Sequence, residues 1–248
     1  MGEKYKKKIG LALGSGSARG WAHIGVLKAL QENSIEIHGI SGTSIGALVG
    51  AIHASGDIGA FEQFVQKLNW LKMLQYLDVT VPIHGLLSGN RIARLFSDHF
   101  GQTTIESLKI PFACIATDIE DGTEVIVDRG SIATAVRASV SIPGIFSPVR
   151  DQNRFLVDGA VSNPLPVDVC RKMGMDIVIA VNLNHQVATK NSLSAGQSIV
   201  SPSESETRIL KKLARPYRQQ RQHRESRHPK PSILRDSRRL NDRIYPPG

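Results

Sequence analysis

Several things are scarce in this 248-residue chain, and each scarcity excludes a class of protein. There are two cysteines, Cys114 and Cys170, both in apolar surroundings. They make neither a disulfide framework nor a CxxC site, so a reducing, cytoplasmic setting is expected. No stretch approaches 18 uninterrupted apolar residues, so no membrane span is expected. The apolar run Ile9–Leu13 follows a basic start but is broken by Gly14, too soon for a signal-peptide core. Lys6 stands where a myristoylation pattern wants Ser or Thr. No clustered ligand spacing suggests a metal, and no cofactor is expected.

Net charge is a second scarcity once it is located. The formal charge is +9, but residues 205–248 hold 13 Lys/Arg against 4 Asp/Glu. Residues 1–204 hold 18 of each sign. The main domain is electrically balanced, so the basic character says nothing about its substrate. Basic clusters without interleaved aromatics fit weak, nonspecific contact, with anionic lipid or nucleic acid, and no specific nucleic-acid partner is expected.

With 41% hydrophobic and 21% charged residues, the chain can bury a core. Residues 8–185 read as alternating strands and helices. Strands are expected at Lys8–Leu13, Ile37–Ile40, Phe112–Thr117, Glu124–Val127, Arg154–Val157 and Ile177–Val181. Helices are expected at Arg19–Glu32, Ser44–Ala54, Ile58–Leu77, Arg91–Phe100, Ser131–Val140 and Pro166–Met173, the last capped by Gly174. Asp121-Gly122 marks a hairpin turn, and 79–90 a long loop. This alternation implies an α/β fold, a three-layer sandwich around a mainly parallel central sheet. The domain is expected to span 1–189. Residues 190–248 are polar, then basic, too poor in apolar groups to offset their ordering entropy. They read as a disordered or frame-shifted tail.

The strongest chemical signal is Gly42-Thr43-Ser44-Ile45-Gly46, a GxSxG between a strand and an apolar helix. A nucleophilic serine needs this tight strand-to-helix turn, beside a helix N-terminus whose positive potential favours an oxyanion. The plainer alternative is a helix N-cap serine. A second signal, Gly14-Ser15-Gly16-Ser17-Ala18-Arg19-Gly20, follows the first strand. Its backbone N–H groups suit an anion, as an oxyanion hole or as a dinucleotide phosphate loop. The nucleotide reading wants an acidic residue at the end of the second strand, where the GxSxG stands instead.

A serine also needs a base. None of the eight histidines (His23, His38, His53, His84, His99, His185, His223, His228) lies in a strand-end loop before an acidic partner. Asp158 does end an apolar strand, ahead of Gly159, and strand carboxyl ends are where such sheets carry their sites. Asp118 is the rival.

Four blocks of sequence carry a resemblance. They are Gly10 through Leu27, Gly42-Thr-Ser-Ile-Gly-Ala-Leu-Val-Gly-Ala51, Ala138-Ser-Val-Ser-Ile-Pro-Gly144, and Val157-Asp-Gly-Ala-Val-Ser-Asn-Pro-Leu-Pro166. Across residues 8–185 the chain resembles the patatin-like phospholipases, in particular the short bacterial type related to the catalytic domain of neuropathy target esterase. The resemblance implies a Ser–Asp dyad with Ser44 as nucleophile and Asp158 as base. It implies an oxyanion hole from the amides of Gly14, Ser15, Gly16 and Ser17, and acyl-ester substrates, phospholipid or lysophospholipid. Ser15 replaces one of three glycines frequent in the family, and Ala160 replaces a second glycine after Asp158. Arg19 is expected to support the loop or meet a substrate phosphate.

The partners expected are therefore a lipid ester and a peripheral contact at the inner membrane surface. The sequence assigns no oligomeric state. Phe61–Leu77 and Leu86-Leu87 read as core packing or as the wall of an acyl-chain groove. A catalytically impaired binding module is the alternative function.

Overall fold

The computed structural model describes residues 7–56 and 90–184, with Arg215 and Arg218. The expected helix 58–77, residues 79–89 of the expected loop, the boundary at 189 and, apart from Arg215 and Arg218, the tail lie outside the described residues, as do His84, His185, His223 and His228; Asn90, expected to end the loop, is helical instead. No helix among the described residues is long and apolar enough to cross a membrane.

Among the described residues seven strands form one sheet. They are β1 (Ile9–Leu13), β2 (Gly39–Thr43), β3 (Phe112–Asp118), β4 (Glu124–Val127), β5 (Val149–Asp151), β6 (Arg154–Asp158) and β7 (Ile177–Val181). The order is β5-β6-β3-β2-β1-β7, and β4 also pairs with β3. The body β7-β1-β2-β3 is parallel. β4, β5 and β6 are antiparallel additions. The sheet is therefore mixed: the crossover helices dictate a parallel body, and the short hairpin turns dictate an antiparallel arm.

Among the described residues five α-helices accompany the sheet: α1 (Trp21–Glu32), α2 (Ile45–Ser55), α3 (Asn90–Phe100), α4 (Ile132–Ser139) and α5 (Val167–Lys172). The period-2 alternation of the strands sorts them onto two faces. Leu11, Leu13, Ile40, Phe112 and Cys114 join one buried cluster with Leu27 of α1, Leu48 and Ile52 of α2, Phe96 and Phe100 of α3, and Val136 of α4. The intervening residues face the other way. Ala12 packs with Cys170, and Ala113 and Ile115 with Val169, both partners on α5. These are the three layers anticipated. Both cysteines are free and buried. Burial pushes the Cys114 thiol up to about 12, so it is inert at neutral pH.

Two expected elements are shifted by more than one residue from the sequence reading. The expected helix Arg19–Glu32 begins instead as a 3-10 turn, Ser17–Gly20, before α1. Gly20 lies against Ile45, and a Cβ there would sit 2.1 Å from Ile45 Cγ1. β2 runs to Thr43, three residues past the apolar stretch that announced it.

Candidate active site

β2 delivers Ser44 to the head of α2. The serine has φ 56° and ψ −122°, a sparsely populated region for any residue but glycine. Its carbonyl opens the helix by accepting from Ala47 N and Leu48 N. Its side chain makes no cap hydrogen bond, so the plain N-cap role does not describe it. The flanking glycines permit the bend. A Cβ on Gly42 would stand 2.6 Å from Ala47 Cα, and one on Gly46 2.2 Å from the Leu13 carbonyl oxygen.

β6 delivers Asp158. Thr43 is registered against Ile115 of β3, and Asp158 against Ala116. Consecutive residues of one central strand thus hold the residue before Ser44 and the aspartate itself. The Ser44 hydroxyl donates to Asp158 Oδ2 at 2.6 Å, within the protein interior. Asp158 Oδ1 accepts from the Ala160 amide at 2.8 Å. The aspartate is 4% exposed. Burial pushes its pKa up to about 6, while the bonds from Ser44 and Ala160 act in the opposite sense. The rival, Asp118, is occupied elsewhere: its Oδ1 accepts from Glu120 N, and its amide donates to Thr123 O across the hairpin.

The glycine turn is stitched to its surroundings at several points. The Gly14 amide donates to Val181 O of β7 (3.1 Å), and the Ser15 amide to Pro164 O (2.8 Å). The amides of Gly16 and Ser17 have no acceptor among the described residues. Asn184 Nδ2 donates to both the carbonyl and the hydroxyl of Ser15. Arg19 Nη2 donates to Asn184 Oδ1 at 2.7 Å. Arg19 therefore braces the loop through Asn184. The loop after Asp158 is tied down as well, because Thr43 Oγ1 donates to Asn163 O and Ser41 Oγ to Pro166 O.

The described histidines take structural places. His23 is fully buried, with Nε2 2.8 Å from Gly14 O. A carbonyl can only accept, so Nε2 carries the proton and supports the glycine turn from behind. Burial lowers its pKa, which keeps the ring neutral. His38 Nδ1 accepts from Ile9 N, His53 is half-buried in α2, and His99 lies edge-on to Phe100.

Sequence reasoning left one group here without a role. The Ser139 hydroxyl, fully buried at the end of α4, accepts from the Ser44 amide at 2.9 Å. Its only sequence signal was membership in the Ala138–Gly144 block.

Comparisons with known proteins agree with this architecture. Residues 11–171 match the family model described as patatin-like phospholipase. An uncharacterized NTE family protein of Mycobacterium tuberculosis is 41% identical over 177 residues, 71% of this chain and 49% of that protein. Neuropathy target esterase sws of Drosophila melanogaster is 40% identical over 186 residues, 72% of this chain and 13% of that protein. The chain thus spans about half, or less, of the length of the curated relatives it matches. The crystal structure of VipD from Legionella pneumophila shares the fold, with a TM-score of 0.50 and 16% identity over 62% of this chain and 46% of that one. With its elbow, its strand-end aspartate and its glycine turn set in this sheet, the chain belongs to the patatin-like phospholipase family.

Proposed function

We propose that this protein is a serine acyl-ester hydrolase acting on phospholipid or lysophospholipid through a Ser44–Asp158 dyad. The observation that carries the reading is the 2.6 Å hydrogen bond from the Ser44 hydroxyl to the buried Asp158 carboxylate. An ordinary aspartate is too weak a base to take a serine proton readily. A carboxylate raised to about 6 is better matched to the task.

The steps follow from that geometry. Ser44 Oγ attacks the ester carbonyl as its proton passes to Asp158 Oδ2. The carbonyl electron pair moves onto oxygen, making a tetrahedral oxyanion. Of the four turn residues, Gly16 and Ser17 keep amides without an acceptor among the described residues, so they are the donors assigned to it. Loss of one such donor costs about 3–4 kcal/mol in other hydrolases. The alcohol leaves with the proton from Asp158, and an acyl-Ser44 remains. Water then attacks that ester, gives a proton to Asp158, and releases the fatty acid and a restored Ser44. The reading assigns this chemistry to residues 1–189. It puts the enzyme in the cytoplasm, meeting its substrate peripherally at a membrane surface.

A fluorophosphonate probe tests the assignment. Wild-type protein is expected to be labelled, and Ser44→Ala and Asp158→Asn are expected to lose labelling while remaining folded. Labelling of Ser44→Ala at the wild-type rate would overturn it. Folded wild type that resists the probe would favour a binding module instead.

A further inference from the structure

Ser44 and Asp158 arrive from different parts of the sheet and lie 114 positions apart in sequence. A strained backbone at Ser44 makes their alignment harder to keep. One short segment touches both. Ser139 Oγ accepts the Ser44 amide at 2.9 Å. Two residues later, the Ser141 carbonyl accepts the Asp158 amide at 2.8 Å. Both serines are fully buried.

The segment is itself anchored. The Ser141 hydroxyl donates to the Arg137 carbonyl at 2.7 Å, and the Arg137 guanidinium donates back to that hydroxyl. Arg137 Nη2 reaches Ser147 O, and the guanidinium lies over the Phe146 ring, 5.4 Å from its centroid. The Ser44 amide gets no partner from α2, because it precedes the first turn of that helix. Without Ser139, a buried donor next to the nucleophile would stand unsatisfied, and the φ 56° conformation would lose its tether.

We propose that Ser139–Ser141 is a positioning clamp, in which the Ser139 hydroxyl holds the Ser44 backbone and the Ser141 carbonyl holds the Asp158 backbone so that hydroxyl and carboxylate meet. Ser139 is a positioning residue, acting through Ser44 alone. The proposal rests on Ser44 and Asp158 being the dyad.

The test measures the fluorophosphonate labelling rate constant, together with kcat and KM on p-nitrophenyl butyrate, in full-length wild type, Ser139→Ala and Ser139→Cys. Cysteine keeps the size of serine but accepts a hydrogen bond weakly, so it separates packing from tethering. Both variants are expected to lose about 10- to 100-fold in kcat and in labelling rate, with KM within about twofold of wild type. A role confined to folding would lower the active fraction without changing the rate constant per folded molecule. Labelled wild type with unchanged constants in Ser139→Cys overturns the clamp alone, even if Ser139→Ala fails to fold. Wild type that is not labelled overturns the dyad, and the clamp with it.

Discussion

At Asp158, burial and hydrogen bonding pull the carboxyl in opposite directions, and burial wins. A base works only when deprotonated, so activity is expected to rise with pH through an acid limb near 6, the pKa of the buried carboxyl. The profile of kcat/KM between pH 4 and 8 measures it. A limb below about 4.5 would mean that the carboxylate is solvated in the working enzyme. At His23 the argument concerns the tautomer. The proton sits on Nε2 to serve Gly14 O, and Nδ1 is buried without a partner among the described residues. Replacing His23 by Leu removes the only donor that side chain offers the glycine turn. The loss is expected to cost about 1–3 kcal/mol in urea unfolding and to slow labelling. Unchanged labelling in His23→Leu would show that the turn holds its shape without this support.

Among the elements, the elbow shows how glycine serves packing and not only bending. Gly46→Ala would drive a methyl group to 2.2 Å from the Leu13 carbonyl. It is expected to destabilise the fold by about 3 kcal/mol. Gly25, inside α1, leaves open space where a methyl group would stand, with nothing within 4 Å of it. Gly25→Ala is expected to gain about 0.5–1 kcal/mol from helix propensity. Denaturant midpoints of the two variants should therefore move in opposite directions.

The same elements show what could be read from the chain alone. β4 and β7 were legible because each is a short apolar run between turn signals. β2 was displaced, since Ser41, Gly42 and Thr43 have little apolar character. They are strand because β3 pairs with all three and β1 with Ser41 and Gly42. β5 leaves no sequence signal: Val149-Arg150-Asp151 has no alternation and exists by pairing with β6 across a turn with Gln152 at φ 50°. Ser44 was visible because its motif is local. Asp158 needed the family blocks to single it out, because its meeting with Ser44 depends on the register of β3. Ser139 could not be assigned, because its bond to the elbow appears only when α4 has packed on the sheet.

For the molecule as a whole, the buried aspartate sets function against stability. The folded-state pKa lies above the unfolded value, so the native protein prefers the protonated carboxyl. That stabilising preference is complete below about 3.8 and is lost as pH rises through about 6. The difference amounts to about 3 kcal/mol at neutral pH. Asp158→Asn mimics the protonated form. Relative to wild type, it is expected to be inactive yet to gain stability between pH 4 and pH 7, by up to about 3 kcal/mol. Parallel urea titrations across that range test this, and a gap that shrinks with rising pH would contradict it.

The arm formed by β5 and β6 carries the carboxylate, whereas the parallel body carries the serine, and the pairing of β6 with β3 sets the register between them. Slippage of that arm by one residue would turn Asp158 to the opposite side of the sheet while leaving most of the core intact. The architecture therefore favours one kind of failure over others: a preparation with native spectra and a cooperative melt that hydrolyses nothing. In such a preparation the fault would lie in strand alignment, with every active-site side chain present and chemically sound.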